Sequence, residues 1–168
     1  MEALVRAAQT GAFPGQIDIV VAPSPDAPAL ERARSLGIPT AVATTEEELV
    51  AAFIGVSWIC LSGYLRLLPP TILSRWHGHI LNIHPSLLPK HGGKGMYGMN
   101  VHRAVIAAGD PESGCTVHHV NEVYDDGEIV CQLRCPVEPE DTAESLAARV
   151  LALEHLAYPR ALRQVLAK

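Results

Sequence analysis

HILNIHPSLLPKHGGKGMYG, residues 79–98, passes from an apolar, β-branched run into a loop of prolines and glycines. The run 79–84 reads as a buried strand. Asn82 and His84 are two apart, so in a strand both side chains point to the same face. Pro85 holds His84 extended, because its ring disfavours the helical region for the residue before it. An amide and an imidazole are thus presented together at the carboxyl end of a strand, the place where open α/β sheets take their ligands. Gly92, Gly93, Gly95 and Gly98 give the following loop the backbone freedom to close over a ligand.

Upstream the pattern alternates. Residues 1–10 form a helix that starts at the first residue, with Leu4, Val5 and Ala8 on one side and Gly11 beyond. IDIVVA (17–22) and SWICLS (57–62) are apolar runs of the kind found in buried parallel strands. Helices are expected over 26–36, closed by Gly37, and over 46–53, where Thr45 and Glu48 make a capping box. PPTILSRW adds another, its prolines in the first turn, where a missing N–H costs nothing. Downstream, GCTVHHVNEV and EIVCQLRCPV read as two strands joined across Tyr124, Asp125, Asp126 and Gly127, an antiparallel addition. From Thr142 onward Leu146, Val150, Leu153 and Leu156 recur at helical spacing, and Pro159 is expected to kink or divide that helix. The class is α/β.

The 168 residues suit one domain with a real core. A net charge of −5 without a basic run excludes a nucleic-acid partner held by its phosphates. No stretch approaches the roughly twenty apolar residues that cross a bilayer, and the amino terminus lacks the plan of a secretory signal, so no membrane role and a cytoplasmic location are expected. Cys60, Cys115, Cys131 and Cys135 contain no C-x-x-C and read as reduced. GGKG is no phosphate loop, since position 88 is leucine and Gly95 follows Lys94. His77, His79, His84 and His91 have no carboxylate or cysteine among them at zinc spacing. A strand end with a capping asparagine, a solvent-facing histidine and a flexible loop explains 81–98 equally well, and the residues alone leave both readings standing.

SGYLRLLPPTIL, ILNIHPSLLPK, HRAVIAAGDPESGCTVHHVNEVYDDGEIV and LEHLAYP, in that order, resemble the glycinamide ribonucleotide formyltransferases, folate enzymes of purine synthesis. The Asn-x-His-Pro core is shared with methionyl-tRNA formyltransferases and formyltetrahydrofolate deformylases; the KHGGKGMYG loop, the length and LEHLAYP resemble the purine enzymes. The resemblance implies a Rossmann-like formyltransferase fold over residues 1–168 as a single domain, with a mostly parallel sheet, an antiparallel C-terminal hairpin and helices on both faces. It implies formyl transfer from 10-formyltetrahydrofolate, as co-substrate, to the amine of glycinamide ribonucleotide, with no metal, small-molecule partners only, and a monomer or homodimer.

By the same resemblance Asn82, His84 and Asp125 are catalytic. Amine attack on the formyl carbon makes a tetrahedral oxyanion that Asn82 and a protonated His84 stabilise, while the Asp125 carboxylate raises the histidine pKa and relays a proton. Leu65, Arg66, Leu67 and Leu68 contact the pterin through backbone groups, and Asn82, His118, Val120, Asn121 and Glu122 complete that pocket. Pro85 and Glu154 hold the ribonucleotide. The plainer alternatives are a turn aspartate, leucines packed in a core and a solvated glutamate. Asn100 stands where many relatives have histidine.

The sequence departs from the family at its start: it begins about where the family's first helix does, without the first strand and the glycine-rich turn that holds the substrate phosphate. Either the functional protein has more sequence upstream, or the chain is a shortened folate-binding relative with little catalysis. The first is preferred, since a sheet lacking a central strand exposes an unpaired edge and an apolar face. Deformylase or tRNA-formylating activity are further alternatives.

Overall fold

A computed structural model describes residues 1–167. In chain order the elements are α1 (Glu2–Gln9), β1 (Val20–Ala22), α2 (Pro28–Ser35), β2 (Thr40–Val42), α3 (Glu46–Ala52), β3 (Ile59–Leu61), α4 (Pro70–Arg75), β4 (Ile80–His84), α5 (Met99–Ala108), β5 (Glu112–His119), β6 (Ile129–Pro136) and α6 (Ala143–Leu166). The expected capping box of Thr45 and Glu48 forms at α3, and the structure adds a second, between Thr142 and Ser145 at α6. Pro28 and Pro70 occupy the first turns of α2 and α4.

Two expectations are corrected, and two elements are added. The last helix is not divided at Pro159 but continues through it to Leu166; the carbonyl left without an intrahelical donor is that of His155, an exposed residue that water reaches. The hairpin is not a tight turn at 124–127, because β5 ends at His119 and the Val120 N–H turns to the Ile80 carbonyl at 3.0 Å, leaving 120–128 as a longer connection. The strand β2 and the helix α5 were not foreseen: β2 has three residues and no alternation to detect, whereas α5 did carry a signal in Val101 and Val105 four apart, closed by Gly109 in the left-handed region.

Two sheets result. β1 and β2 pair in parallel, and the second sheet has the order β3-β4-β5-β6, with β3–β4 parallel and the β4–β5 and β5–β6 pairs antiparallel. Helices cover both faces. Leu81 packs with Leu4 of α1, Val105 of α5 and Leu146, Val150 and Leu162 of α6, while its neighbour Ile80 packs with Ile72 and Leu73 of α4 and Leu49 of α3. Burying each of these aliphatics is worth about 1.5–3 kcal/mol, so the register of β4 is fixed from both sides. A slip of one residue would turn Asn82 and His84 toward α6.

β1 and β3 each pair on one side only, and a cavity of about 600 Å³ lies between them, lined by Val20, Val21, Ile59, Cys60, Leu61 and Met1 among others. Tyr158 of α6 ties the other flank of this region together: its hydroxyl lies 2.9 Å from the carbonyls of both Leu61 and Leu81. Tyr158→Phe removes that donor from buried carbonyls and is expected to cost about 1–2 kcal/mol. Thermal denaturation should show a melting point lower by roughly 2–8 °C; an unchanged melting point would mean the two carbonyls are satisfied elsewhere.

Candidate active site

β4 has a parallel neighbour on one edge and an antiparallel neighbour on the other, and the polar residues of its outer half are read by β5. Asn82 lies opposite His118 and His84 opposite Thr116, so all four side chains share one face. The loop after β4 folds back over that face. Thr116 Oγ1 donates to the Ser86 carbonyl at 2.7 Å and accepts from the Leu88 N–H at 3.1 Å. Gln132 of β6 donates to the Leu88 carbonyl and to Thr116 Oγ1, both at 2.9 Å. These bonds fix the exit of the strand, and with it the His84 ring.

The connection 120–128 brings Asp125 onto the same place, with its backbone in the left-handed region at φ 56°. Asp125 Oδ2 lies 3.4 Å from His84 Nδ1 and accepts the Gly93 N–H at 2.8 Å, and Oδ1 lies 3.6 Å from His118 Nε2. His118 donates Nδ1–H to the His119 carbonyl at 2.8 Å, so in the neutral ring its Nε2 accepts from Asn82 Nδ2 at 3.2 Å. That leaves the second Asn82 amide hydrogen for a ligand. The glycine loop is correspondingly less free than its composition suggests: Gly93 is tied to Asp125, and a β-carbon at Gly92 would meet Leu88 at 2.5 Å.

His84 is 4% exposed. Burial lowers its pKa below the ordinary imidazole value, and the opposing pull of the Asp125 carboxylate and the His91 carbonyl does not overcome it. This corrects the expectation of a raised pKa: at rest the ring is neutral, with Nε2–H donated to the His91 carbonyl at 2.8 Å and the Nδ1 lone pair toward Asp125. Burial also works to raise the Asp125 carboxyl, but attraction to the His118 and His84 rings and the Gly93 N–H outweigh it, and the carboxyl is held below its usual value. Arriving at this pair, a proton converts an uncharged imidazole into an imidazolium against a carboxylate. The site is thus built to take a proton up.

The other candidate residues fall into two groups. Leu68 is buried against Ile72 and Ile80, and Val120 packs on the same cluster, so the segments after β3 and β5 do meet. Leu65 and Leu67 are exposed rather than core residues, as is Arg66, whose guanidinium lies over the Tyr64 ring at 6.0 Å. Asn121 accepts the Val123 N–H at 2.9 Å and shapes the connection; Glu122 is exposed and Pro85 half-buried. Sequence reading missed Thr116, Gln132, His102 and Asp110. Thr116 was findable as the strand partner of His84 once the register is known; His102, buried and felt by His84, carries no such sign. Among the described residues no group of three or more histidine, cysteine, aspartate or glutamate side chains is arranged to hold a metal ion, and no helix is long and apolar enough to cross a membrane.

Glu154 lies on α6 and feels the Met1 amino group, and burial pushes its carboxyl up to about 7. A carboxyl raised in the folded state favours folding fully below its unfolded value near 4.5 and loses that contribution as pH rises toward 7. Glu154→Gln is therefore expected to stabilise the protein at pH 8 by on the order of 1–2 kcal/mol and to change little at pH 4.5. Urea denaturation at the two pH values checks this; equal effects at both would place the carboxylate in water.

The formyl transferase family model matches residues 1–162. A chloroplastic phosphoribosylglycinamide formyltransferase from Arabidopsis thaliana is 42% identical over 160 residues, which is 88% of this chain and 55% of the plant protein. The phosphoribosylglycinamide formyltransferase of Haemophilus influenzae is 37% identical over 170 residues, covering 95% of this chain and 78% of that one. The crystal structure of the Brucella melitensis phosphoribosylglycinamide formyltransferase superposes with a TM-score of 0.88 at 42% identity, over 100% of this chain and 90% of that chain. The chain spans about half the length of the plant relatives. With a family match running through nearly the whole chain and a structural relative superposing over all of it, this protein belongs to the formyl transferase family.

Proposed function

We propose that the chain transfers a formyl group from 10-formyltetrahydrofolate to the primary amine of glycinamide ribonucleotide, a step of de novo purine synthesis, as a single domain working in the cytoplasm as a monomer or homodimer and without a metal. The observation that carries this reading is the cluster in which the Asp125 carboxylate lies 3.4 Å from His84 Nδ1 and 3.6 Å from His118 Nε2, with Asn82 Nδ2 3.2 Å from the same His118 nitrogen. The amine nitrogen bonds to the formyl carbon, and its proton passes to the His84–Asp125 pair. The imidazolium so formed and the free Asn82 N–H then face the new oxyanion, an interaction absent from the planar ground state. Collapse of the tetrahedral centre breaks the bond to the folate nitrogen, which takes the proton back.

The pterin lies between the segment 65–68, whose Leu65 and Leu67 are exposed, and the wall formed by His118, Val120, Asn121 and Glu122. Pro85 and Glu154 contact the ribonucleotide. The similarity to proteins named phosphoribosylglycinamide formyltransferase supports the choice of amine. The test is a spectrophotometric assay of folate product with and without glycinamide ribonucleotide. Turnover that requires the amine is expected; release of free formate at the same rate without it would sink the proposal in favour of hydrolysis.

A further inference from the structure

We infer that Asp110 is a positioning residue that fixes the proton of His84 on Nε2, acting through the backbone of His91; this rests on the role given to His84 above. Asp110 follows Gly109, the left-handed residue that ends α5, and precedes β5, so its carboxylate is anchored by two elements of the core. Its oxygens are shared between two consecutive loop residues: Lys90 Nζ donates to Oδ1 at 2.9 Å, and His91 Nε2 donates to Oδ2 at 2.7 Å. Those two donors hold the Asp110 carboxyl below its ordinary value, so it is charged at neutral pH. His91 and Asp110 are 16% and 15% exposed, which shields the pair from water.

The backbone of His91 is in the left-handed region at φ 52°, a conformation that a residue with a β-carbon resists. Upstream, the loop is held by Thr116, by Gln132 and by Ser86 Oγ, which donates to the Lys90 carbonyl at 2.6 Å. Beyond Lys90 the hold passes to Asp110 through the His91 ring. In this conformation the His91 carbonyl lies 2.8 Å from His84 Nε2. A carbonyl only accepts, so the neutral ring keeps its proton there and its Nδ1 lone pair toward Asp125. The other tautomer would forfeit that 2.8 Å bond, setting a lone pair against the carbonyl, and would turn an N–H toward Asp125 Oδ2 at 3.4 Å, too long to replace it. The ionisable groups that bear on His84 are Asp125 and His118 on one side, His91 in the loop and His102 on α5; Asp110 reaches the ring through His91.

The experiment is nitrogen NMR of histidine-labelled protein, at a pH where His84 is neutral, beside steady-state kinetics. In the wild type His84 shows a protonated Nε2 and an unprotonated Nδ1. In Asp110→Ala the two resonances move toward each other as tautomers mix, and kcat falls about tenfold while KM stays within about twofold. Asp110→Asn, which keeps an acceptor oxygen for His91, recovers most of the tautomer preference and most of kcat. His91→Gly keeps the carbonyl and relieves the backbone, so it retains more activity than His91→Ala. A folded Asp110→Ala protein whose His84 still carries its proton wholly on Nε2 overturns the inference. If that variant does not fold, a His91→Ala protein with unchanged His84 resonances does the same. Because the NMR readout needs no turnover, it decides the point even if formyl transfer is never observed.

Discussion

Replacing His84 by alanine lowers kcat for formyl transfer about 10³-fold, with KM for either substrate changed far less. Two effects combine: a positioned proton acceptor contributes about 10²–10⁴, and a donor to the developing oxyanion about 10²–10³. They are not additive here, since one imidazole supplies both, and a factor of 10³ corresponds to about 4 kcal/mol of barrier. Asp125→Asn separates the charge from the geometry. Asparagine tolerates the left-handed backbone that Asp125 adopts at φ 56° and can still accept the Gly93 N–H, so fold and loop are retained while the carboxylate is lost.

The pH dependence gives the second readout of that pair. His84 must be unprotonated to accept the proton, and burial lowers its pKa, so kcat/KM falls on the acid side at a pH below the ordinary imidazole value near 6.5. The Asp125 carboxylate pulls that pKa upward; removing it moves the acid limb to still lower pH while reducing the plateau about 10²-fold. A His84→Ala protein within tenfold of wild type, or an Asp125→Asn profile whose acid limb moves to higher pH, would remove His84 from the chemistry.

The second large effect is expected at a glycine with no side chain of its own, packed against the end of β5 beside the His118 ring. A β-carbon placed on Gly127 would lie 1.8 Å from the His119 carbonyl oxygen and 2.7 Å from its carbon. The neighbour is backbone at the end of β5, which cannot rotate away as a side-chain tip can. Either the strand end or the connection must move. The His119 carbonyl is also the acceptor that orients His118, and the connection is what carries Asp125. Gly127→Ala should therefore cost about 2–4 kcal/mol of stability and, through a displacement of about 1 Å, on the order of 10² in kcat. Gly93→Ala is the contrast: nothing lies within 4 Å of its β-carbon, and the strain comes only from φ 93°. Thermal melts and kinetics of the two variants together check this; a Gly127→Ala protein no worse than Gly93→Ala would mean the close approach is relaxed in solution.

The apolar periodicity of the chain, the prolines in the first turn of α4 and the capping box at α3 are local signals, and with them most helices and all the longer strands were located. The same is true of Asn82 and His84, whose shared face follows from strand spacing alone. Strand β2 was silent because its three residues, unlike those of β1 and β3, do not sit in a longer β-branched apolar run, and the true end of β5 was missed because the competition between Val120 and the turn is settled by the Ile80 carbonyl, forty residues earlier. What a sequence determines unaided is what depends on neighbours in the chain: element type, capping, and which face a side chain takes. The proton state of His84 depends instead on groups that only folding brings together. Burial among β4, β5 and the loop lowers its pKa, Asp125 arrives from a connection forty residues away, and the His91 carbonyl reaches it in a loop held by Thr116, Gln132, Ser86 and Asp110. Each of these is a through-space interaction in a shielded site, and no spacing along the chain encodes its sign.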